Sequence, residues 1–144
     1  MKHNIPQSIL FVCQLNSVRS PMAEGLMRKA FPQVKDIRSC GLYIGDLNDF
    51  MVTVMSEKSI DMSAHEPKSL AEFQDVKFEH VIAFTREALD AAQAVFEDNP
   101  DTVVEFWPVV DPSEGSLDVR AMLNNYRAIR DNIDARLRRS FVKP

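Results

Sequence analysis

Ser8-Ile9-Leu10-Phe11-Val12-Cys13-Gln14-Leu15-Asn16-Ser17-Val18-Arg19-Ser20-Pro21-Met22-Ala23-Glu24-Gly25 is the stretch on which the reading of this chain turns. It opens on a short continuous apolar run, the pattern of a strand buried on both faces. It closes as a helix over Arg19–Ala30, with Pro21 in the first turn, where proline is tolerated, and Pro32 just past the end. A thiol therefore stands where a strand ends, and a guanidinium where a helix begins, with five residues between them. Main-chain N–H groups and the helix dipole favour an anion at such a place. A thiolate beneath that anion is a ready nucleophile.

Outward from this stretch, apolar bursts alternate with helical periodicity. Ile37–Cys40 reads as a weak second strand and Asp49–Lys58 as a helix. Pro67–Phe73 is a short helix or turn, and Glu79–Phe84 a strong third strand. Thr85 is placed to cap a helix running to Glu97. Thr102–Phe106 is a fourth strand, and Leu117–Arg139 a long amphipathic helix. Strands alternating with helices imply an α/β fold around a four-stranded parallel sheet, with 1–144 as a single domain. Ligands bind outside the carboxyl ends of such strands. Cys13 follows the first strand and Asp111 the fourth, so both belong at that edge.

Composition narrows the classes of function. The chain has 144 residues, a net charge of −4 and two cysteines. The charge argues against a general nucleic-acid binder. The cysteines are too few for a disulfide scaffold. The polar start lacks the pattern of a signal peptide, and no apolar run reaches membrane-spanning length. A cytoplasmic protein with reduced thiols is the expectation, with no membrane partner and an open oligomeric state.

The chemistry follows from residue types. The planar fork of Arg19 matches two phosphate oxygens. Gln14, Leu15, Asn16, Ser17 and Val18 can curl so that successive N–H groups make an anion nest. The Ser20 hydroxyl can donate to the thiolate, cap the helix, or do both. Asp111, ahead of Pro112, is read as general acid to a leaving oxygen and then as base to water. Cys40 reads as a small buried hydrophobe. The arginines at 127, 130, 136, 138 and 139 read as a solvated helix face, and His3 has no evident partner.

Here a resemblance becomes specific. Val12-Cys13 through Arg19-Ser20-Pro21-Met22-Ala23-Glu24-Gly25 resembles the phosphate loop of low-molecular-weight protein tyrosine phosphatases. Asp111-Pro112 is similar to that family's acid loop, as are Ser39-Cys40-Gly41-Leu42 and Ile60-Asp61-Met62-Ser63-Ala64-His65 to two further signatures. The resemblance implies a flavodoxin-like three-layer sandwich with helices on both faces of the sheet. It also implies a phosphocysteine intermediate on Cys13, and chemistry without metal or cofactor. The implied partner is a phosphorylated protein, phosphotyrosine first, or a small phosphoester. Asn16 is implied to hold a strained loop conformation with help from Ser39 and His65.

This chain departs from the family at several positions. Leu15 stands where glycine is usual, and leucine resists positive φ. Val18 stands where a second cysteine is frequent. Ser113-Glu114-Gly115 replaces the aromatics of tyrosine-specific members, leaving Tyr43 and Phe50 as the expected pocket wall. Ser17, a small polar residue, makes a phosphoarginine-directed enzyme an alternative. Arsenate reduction and a non-catalytic phosphate-binding module are the others.

Overall fold

A computed structural model describes residues 2–113 and 118–142. Ser8–Cys13 forms β2, entirely buried beyond Ser8. It lies inside a four-stranded parallel sheet with β3 (Asp36–Gly41), β4 (His80–Ala83) and β5 (Val103–Phe106), in the order β3-β2-β4-β5. The register pairs Cys13 with Gly41 and Val12 with both Cys40 and Ala83.

Alternation along β2 sends its side chains into two separate cores. Ile9, Phe11 and Cys13 enter one, with Met22 and Met27 of α1 (Arg19–Ala30), Met51 and Met55 of α2 (Asp49–Ser56), and Tyr126 and Leu137 of α4 (Val119–Ser140). Leu10 and Val12 enter the other, with Ala88 and Ala92 of α3 (Arg86–Val95) and Leu70 and Phe73 of a short 3₁₀ turn, Leu70–Phe73. The fold is thus the parallel α/β sheet that the strand pattern implies, in the three-layer sandwich that the family resemblance implies.

Several local differences have clear causes. The second helix stops at Ser56, and Ser59 adopts φ 62°, which turns the chain out of helical geometry. α4 begins at Val119, with the Asp118 carboxylate accepting from the Arg120 N–H; Leu117 lies outside the described residues. A second, two-stranded parallel sheet pairs β1 (His3–Asn4) with β6 (Phe141–Val142).

Arg130 does not lie on a solvated face. It is buried, donating from Nη1 to the Val54 carbonyl and the Glu57 carboxylate, each at 2.8 Å, and from Nε to Asp131. Arg127 grips the same carboxylate from Nε and Nη2. Hydrogen bonds from Arg127 and then Arg130 hold the Glu57 carboxyl down at about 2. The folded value lies below the ordinary 4.5, so this stabilisation is present above pH 4.5 and is lost as pH falls towards 2. The Glu57 side chain is 34% exposed, and solvent screening limits the contribution to about 1 kcal/mol. Glu57→Gln is expected to lower urea stability by about 1 kcal/mol at neutral pH. That gap should close as the wild type is taken down to pH 2. A gap unchanged at low pH would contradict the assignment.

Candidate active site

The loop between β2 and α1 is shaped by bonds to its carbonyls. Those of Cys13, Gln14 and Leu15 accept N–H groups of Leu42, Tyr43 and Gly45 at 3.0, 2.9 and 2.9 Å. The Asn16 carbonyl takes a hydrogen bond from His65 Nε2 at 2.8 Å. With no cis peptide present among the described residues, each following N–H is turned the opposite way. The N–H groups of Gln14 through Ser17 therefore point away from the 42–45 segment and His65, the direction that an anion nest in the loop requires. Gly41 allows the close approach. A Cβ there would meet the Asn16 N at 2.6 Å, the Tyr43 O at 2.7 Å and the Gln14 O at 2.8 Å, all backbone atoms with little room to yield.

Asn16 adopts φ 55°, a left-handed conformation that asparagine tolerates better than most residues. It is fully buried. Its Nδ2 donates to Ser20 Oγ at 2.9 Å and Ser39 Oγ at 3.0 Å, and its Oδ1 accepts from the Lys68 N–H at 2.9 Å. His65 thus grips the main chain of Asn16 while Ser39 grips its amide. Leu15 is free of the strain its family position suggests, since Asn16 and Ser59 are the non-glycine residues with positive φ among those described. It is 47% exposed and lines the cleft.

The Asn16 bonds run in one direction. The Ser39 hydroxyl donates to the Glu24 carboxylate, which is ion-paired with Arg28. A carboxylate only accepts, so Ser39 must in turn accept from Asn16. The second Asn16 N–H fills a lone pair on Ser20. The Ser20 proton is then left for Cys13 Sγ, 2.9 Å away, or the Cys40 carbonyl, 3.2 Å away. Glu24 is a member of this chain that sequence reasoning missed. Its position one turn after Ser20 on a buried helix face was the available signal.

Cys13, Arg19 and Asp111 line one cleft of about 420 Å³, together with Gln14, Leu15, Ser17 and Val18. Arg19 Nη1 donates to the Val109 carbonyl at 2.8 Å, tying the start of α1 to the segment that carries Asp111. One Asp111 oxygen accepts from the Ser113 N–H and hydroxyl, fixing the carboxylate's direction.

Four expectations change. Tyr43 is 62% exposed and does not line the cleft. Phe50 does not line it either: it packs on Tyr126 with ring centroids 5.4 Å apart, held by the core. The side chains of Asn16 and Ser20 stand behind the loop rather than in the cleft, because they are spent on each other, Ser39 and Cys13. Ser20 does not cap α1; Val18 occupies the cap position without a side-chain bond, and Ser20 lies inside the first turn. Glu114 and Gly115 fall outside the described residues.

The rest of the cleft wall is residues absent from the sequence expectations: Val110, beside Asp111, and the trio Thr85, Arg86 and Glu87. The trio begins α3 immediately past β4, at the carboxyl edge where ligands bind. Thr85 Oγ1 donates to Gln14 Oε1 at 2.7 Å, and Gln14 Nε2 donates to Glu87 at 3.3 Å, so the loop and α3 are joined.

Cys40 is set apart from this chemistry. It pairs with Val12 and enters the opposite core from Cys13. Burial, followed by the nearby Cys13 and Glu72 charges, pushes its thiol far up and keeps it protonated.

The family model of low molecular weight phosphotyrosine protein phosphatases matches residues 8–143. The chain is 31% identical to a protein-arginine-phosphatase of Geobacillus stearothermophilus over 142 residues, covering 90% of each. It is 26% identical to a glutaredoxin arsenate reductase of Synechocystis sp. over 142 residues, covering 95% of this chain and 98% of the relative. The solved structure of the YwlE arginine phosphatase from Geobacillus stearothermophilus superposes with a TM-score of 0.74 at 29% identity, over 92% of this chain and 88% of that one. Sequence, sheet order and loop thus agree: the chain belongs to the low-molecular-weight phosphotyrosine protein phosphatase family, and is a cysteine-dependent phosphatase.

Proposed function

We propose that this enzyme removes phosphate from phosphorylated protein side chains, with Cys13 as nucleophile, Arg19 as phosphate clamp and Asp111 as general acid and base. The observation that carries the reading is the meeting of a thiol, a guanidinium and a carboxylate at one cleft, over an inward-facing set of N–H groups. The phosphoryl oxygens lie on the N–H groups of Gln14 through Ser17 and on Arg19, which balance the charge that develops as the bond breaks. The Cys13 thiolate attacks phosphorus in line, forming an S–P bond while the P–O bond to the side chain breaks. Asp111 gives its proton to the departing oxygen. Water then attacks phosphorus, its proton passes to Asp111, and inorganic phosphate and the free thiolate return.

Ser20 supports the thiolate through the bond that Asn16, Ser39 and Glu24 orient. A hydrogen bond to a charged group contributes about 1.5–3 kcal/mol, so Ser20→Ala is expected to lower kcat about 10- to 100-fold. Alkylation of Cys13 by iodoacetate should slow in parallel. A kcat within twofold of wild type would remove Ser20 from the account.

Phosphotyrosine is the first substrate, as for the family. Phosphoarginine is the second reading, and a specific observation favours it. No aromatic side chain lines the cleft among the described residues, while Ser17 and the acidic Glu87 do. The wall offers no ring for a phenol to stack on, while Glu87 offers a carboxylate to a cationic guanidinium and Asp90 pairs with the adjoining Arg86; the Geobacillus relative is itself named a protein-arginine-phosphatase. A panel of phosphotyrosine, phosphoserine and phosphoarginine peptides decides between them by kcat/KM. A preference for phosphotyrosine of tenfold or more supports the first reading, and the reverse supports the second. A preference for phosphoserine would contradict both. Arsenate reduction is disfavoured because Cys40, the chain's other thiol, leaves the sheet on the opposite face. No helix of the described residues is long and apolar enough to cross a membrane, and two free thiols suit a cytoplasmic setting.

A further inference from the structure

His3, without a partner in the sequence, meets one in the fold. Its Nε2 lies 2.9 Å from Glu105 Oε1, and His80 Nε2 lies 2.8 Å from Glu105 Oε2. The three residues come from β1, β4 and β5, with 102 positions between His3 and Glu105 and 25 between His80 and Glu105. One donor atom from each lies within 4.8 Å of the others. We propose that His3, His80 and Glu105 form a binding site for a divalent transition-metal ion of the zinc type, which ties the N-terminal strand to the main sheet.

The donor set and its spacing point to that class of ion. Zinc takes imidazole nitrogen and carboxylate oxygen at about 2.0–2.2 Å, which places tetrahedral donors roughly 3.3 Å apart. Movements of about an ångström gather the present donors to that spacing. The scaffold limits wider motion. His80 is buried at the start of β4, and His3 is held by the pairing of β1 with β6. The two imidazoles pack edge to face at 4.6 Å, and Phe141 stands over His80 at 5.1 Å. That apolar shell orients the rings, as the surroundings of a metal site must.

Three protein donors leave a fourth position for water. Glu105 opens on a cavity of about 290 Å³ shared with Trp107, Ser140 and three cations, Lys2, Arg136 and Arg139. Charge helps to decide which ion fits. Glu105 supplies one negative charge at the site, with Glu79 nearby, while Arg136 lies over Trp107 at 4.7 Å on the cavity side. Arg136, Lys2 and Arg139 together oppose any ion held by charge alone. Magnesium and calcium, which favour oxygen donors, are therefore disfavoured; a metal that bonds imidazole directionally is favoured.

Binding balances without an oxidant or reductant. In the metal-free site each imidazole donates its Nε2 proton to the carboxylate. With metal bound, each Nε2 lone pair and a carboxylate oxygen coordinate the ion, and the proton of each neutral ring resides on Nδ1. None of the three residues lines the Cys13 cleft, so the ion acts as a structural staple rather than in turnover.

The test uses the full chain carrying Cys13→Ser, which removes the thiol that would itself capture zinc. After chelator treatment, calorimetric titration with Zn²⁺ should give one equivalent bound, with a raised melting temperature. Co²⁺ should give visible d–d bands without a sulfur charge-transfer band. His3→Gln and Glu105→Gln should each weaken Zn²⁺ binding at least about tenfold. In the unmutated triad, the imidazole nitrogen resonances of both His3 and His80 should shift on adding Zn²⁺, a readout independent of how the variants fold. No binding by the Cys13→Ser protein would overturn the proposal. So would unchanged affinity in both ligand variants, or Zn²⁺ binding that leaves the two histidine spectra unmoved.

Discussion

Cys13→Ser is expected to abolish turnover of p-nitrophenyl phosphate, by at least about 10⁴-fold, because nothing else at the cleft replaces the nucleophile. A serine hydroxyl at this position is far less acidic than a thiol, and Asp111, which holds the proton for the leaving group in this step, is not free to take one from it. Ser20 accepts from Asn16 and is placed to donate to Sγ, not to take a proton. The anion nest is untouched by the change, since it is built from backbone bonds of residues 13–16 to the 42–45 segment and His65. Cys13→Ser should therefore still bind orthovanadate or inorganic phosphate with affinity near that of wild type. Loss of both turnover and anion binding would show a collapsed loop. Retained turnover would end the thiol mechanism.

Asp111→Asn should have the second largest effect, and its size should depend on the leaving group. General acid catalysis contributes roughly 10²- to 10⁴-fold when the departing oxygen needs a proton. Phenyl phosphate and alkyl phosphates leave as basic oxyanions, so their kcat/KM should fall across that range. p-Nitrophenolate leaves readily without a proton, so the loss on p-nitrophenyl phosphate should be markedly smaller. Asparagine preserves the shape and one acceptor of the bonds to Ser113, so the loop should keep its form. Equal losses on all three substrates would mean that Asp111 positions the loop rather than transfers a proton.

Much of this was legible because local pattern and global fold agree. The apolar run of β2, the alternation into two cores and the loop-then-helix order were all visible in the spacing of side chains. What escaped the sequence depends on contacts between remote segments. β1 and β6 are two-residue strands without periodicity, and they pair across nearly the whole chain. Arg130 looks like its exposed neighbours until Val54 and Glu57 of the α2 end arrive to satisfy it. Nearness in sequence to the second strand makes Tyr43 and Phe50 look like pocket aromatics. The segment turns instead to receive the loop carbonyls, which leaves Tyr43 in solvent and Phe50 on Tyr126. The α3 wall of the cleft, Thr85 to Glu87, follows from strand order, and strand order is a tertiary property. Leu15 shows the reverse case. Leucine there resists the positive φ that the family's usual glycine allows, and the φ values put the left-handed residue of the loop at Asn16, where the resemblance implies it.

In this mechanism the phosphoryl group passes through sulfur on Cys13. Rapid acid quench of Asp111→Asn during turnover of p-nitrophenyl phosphate, followed by mass spectrometry of the peptide containing residues 8–19, tests it most directly. The leaving group departs without the acid, whereas attack by water lacks its base, so the intermediate should accumulate. One phosphoryl adduct on Cys13 is expected, absent from the Cys13→Ser protein. Turnover with no adduct on Cys13, or with the adduct on another residue, would contradict it.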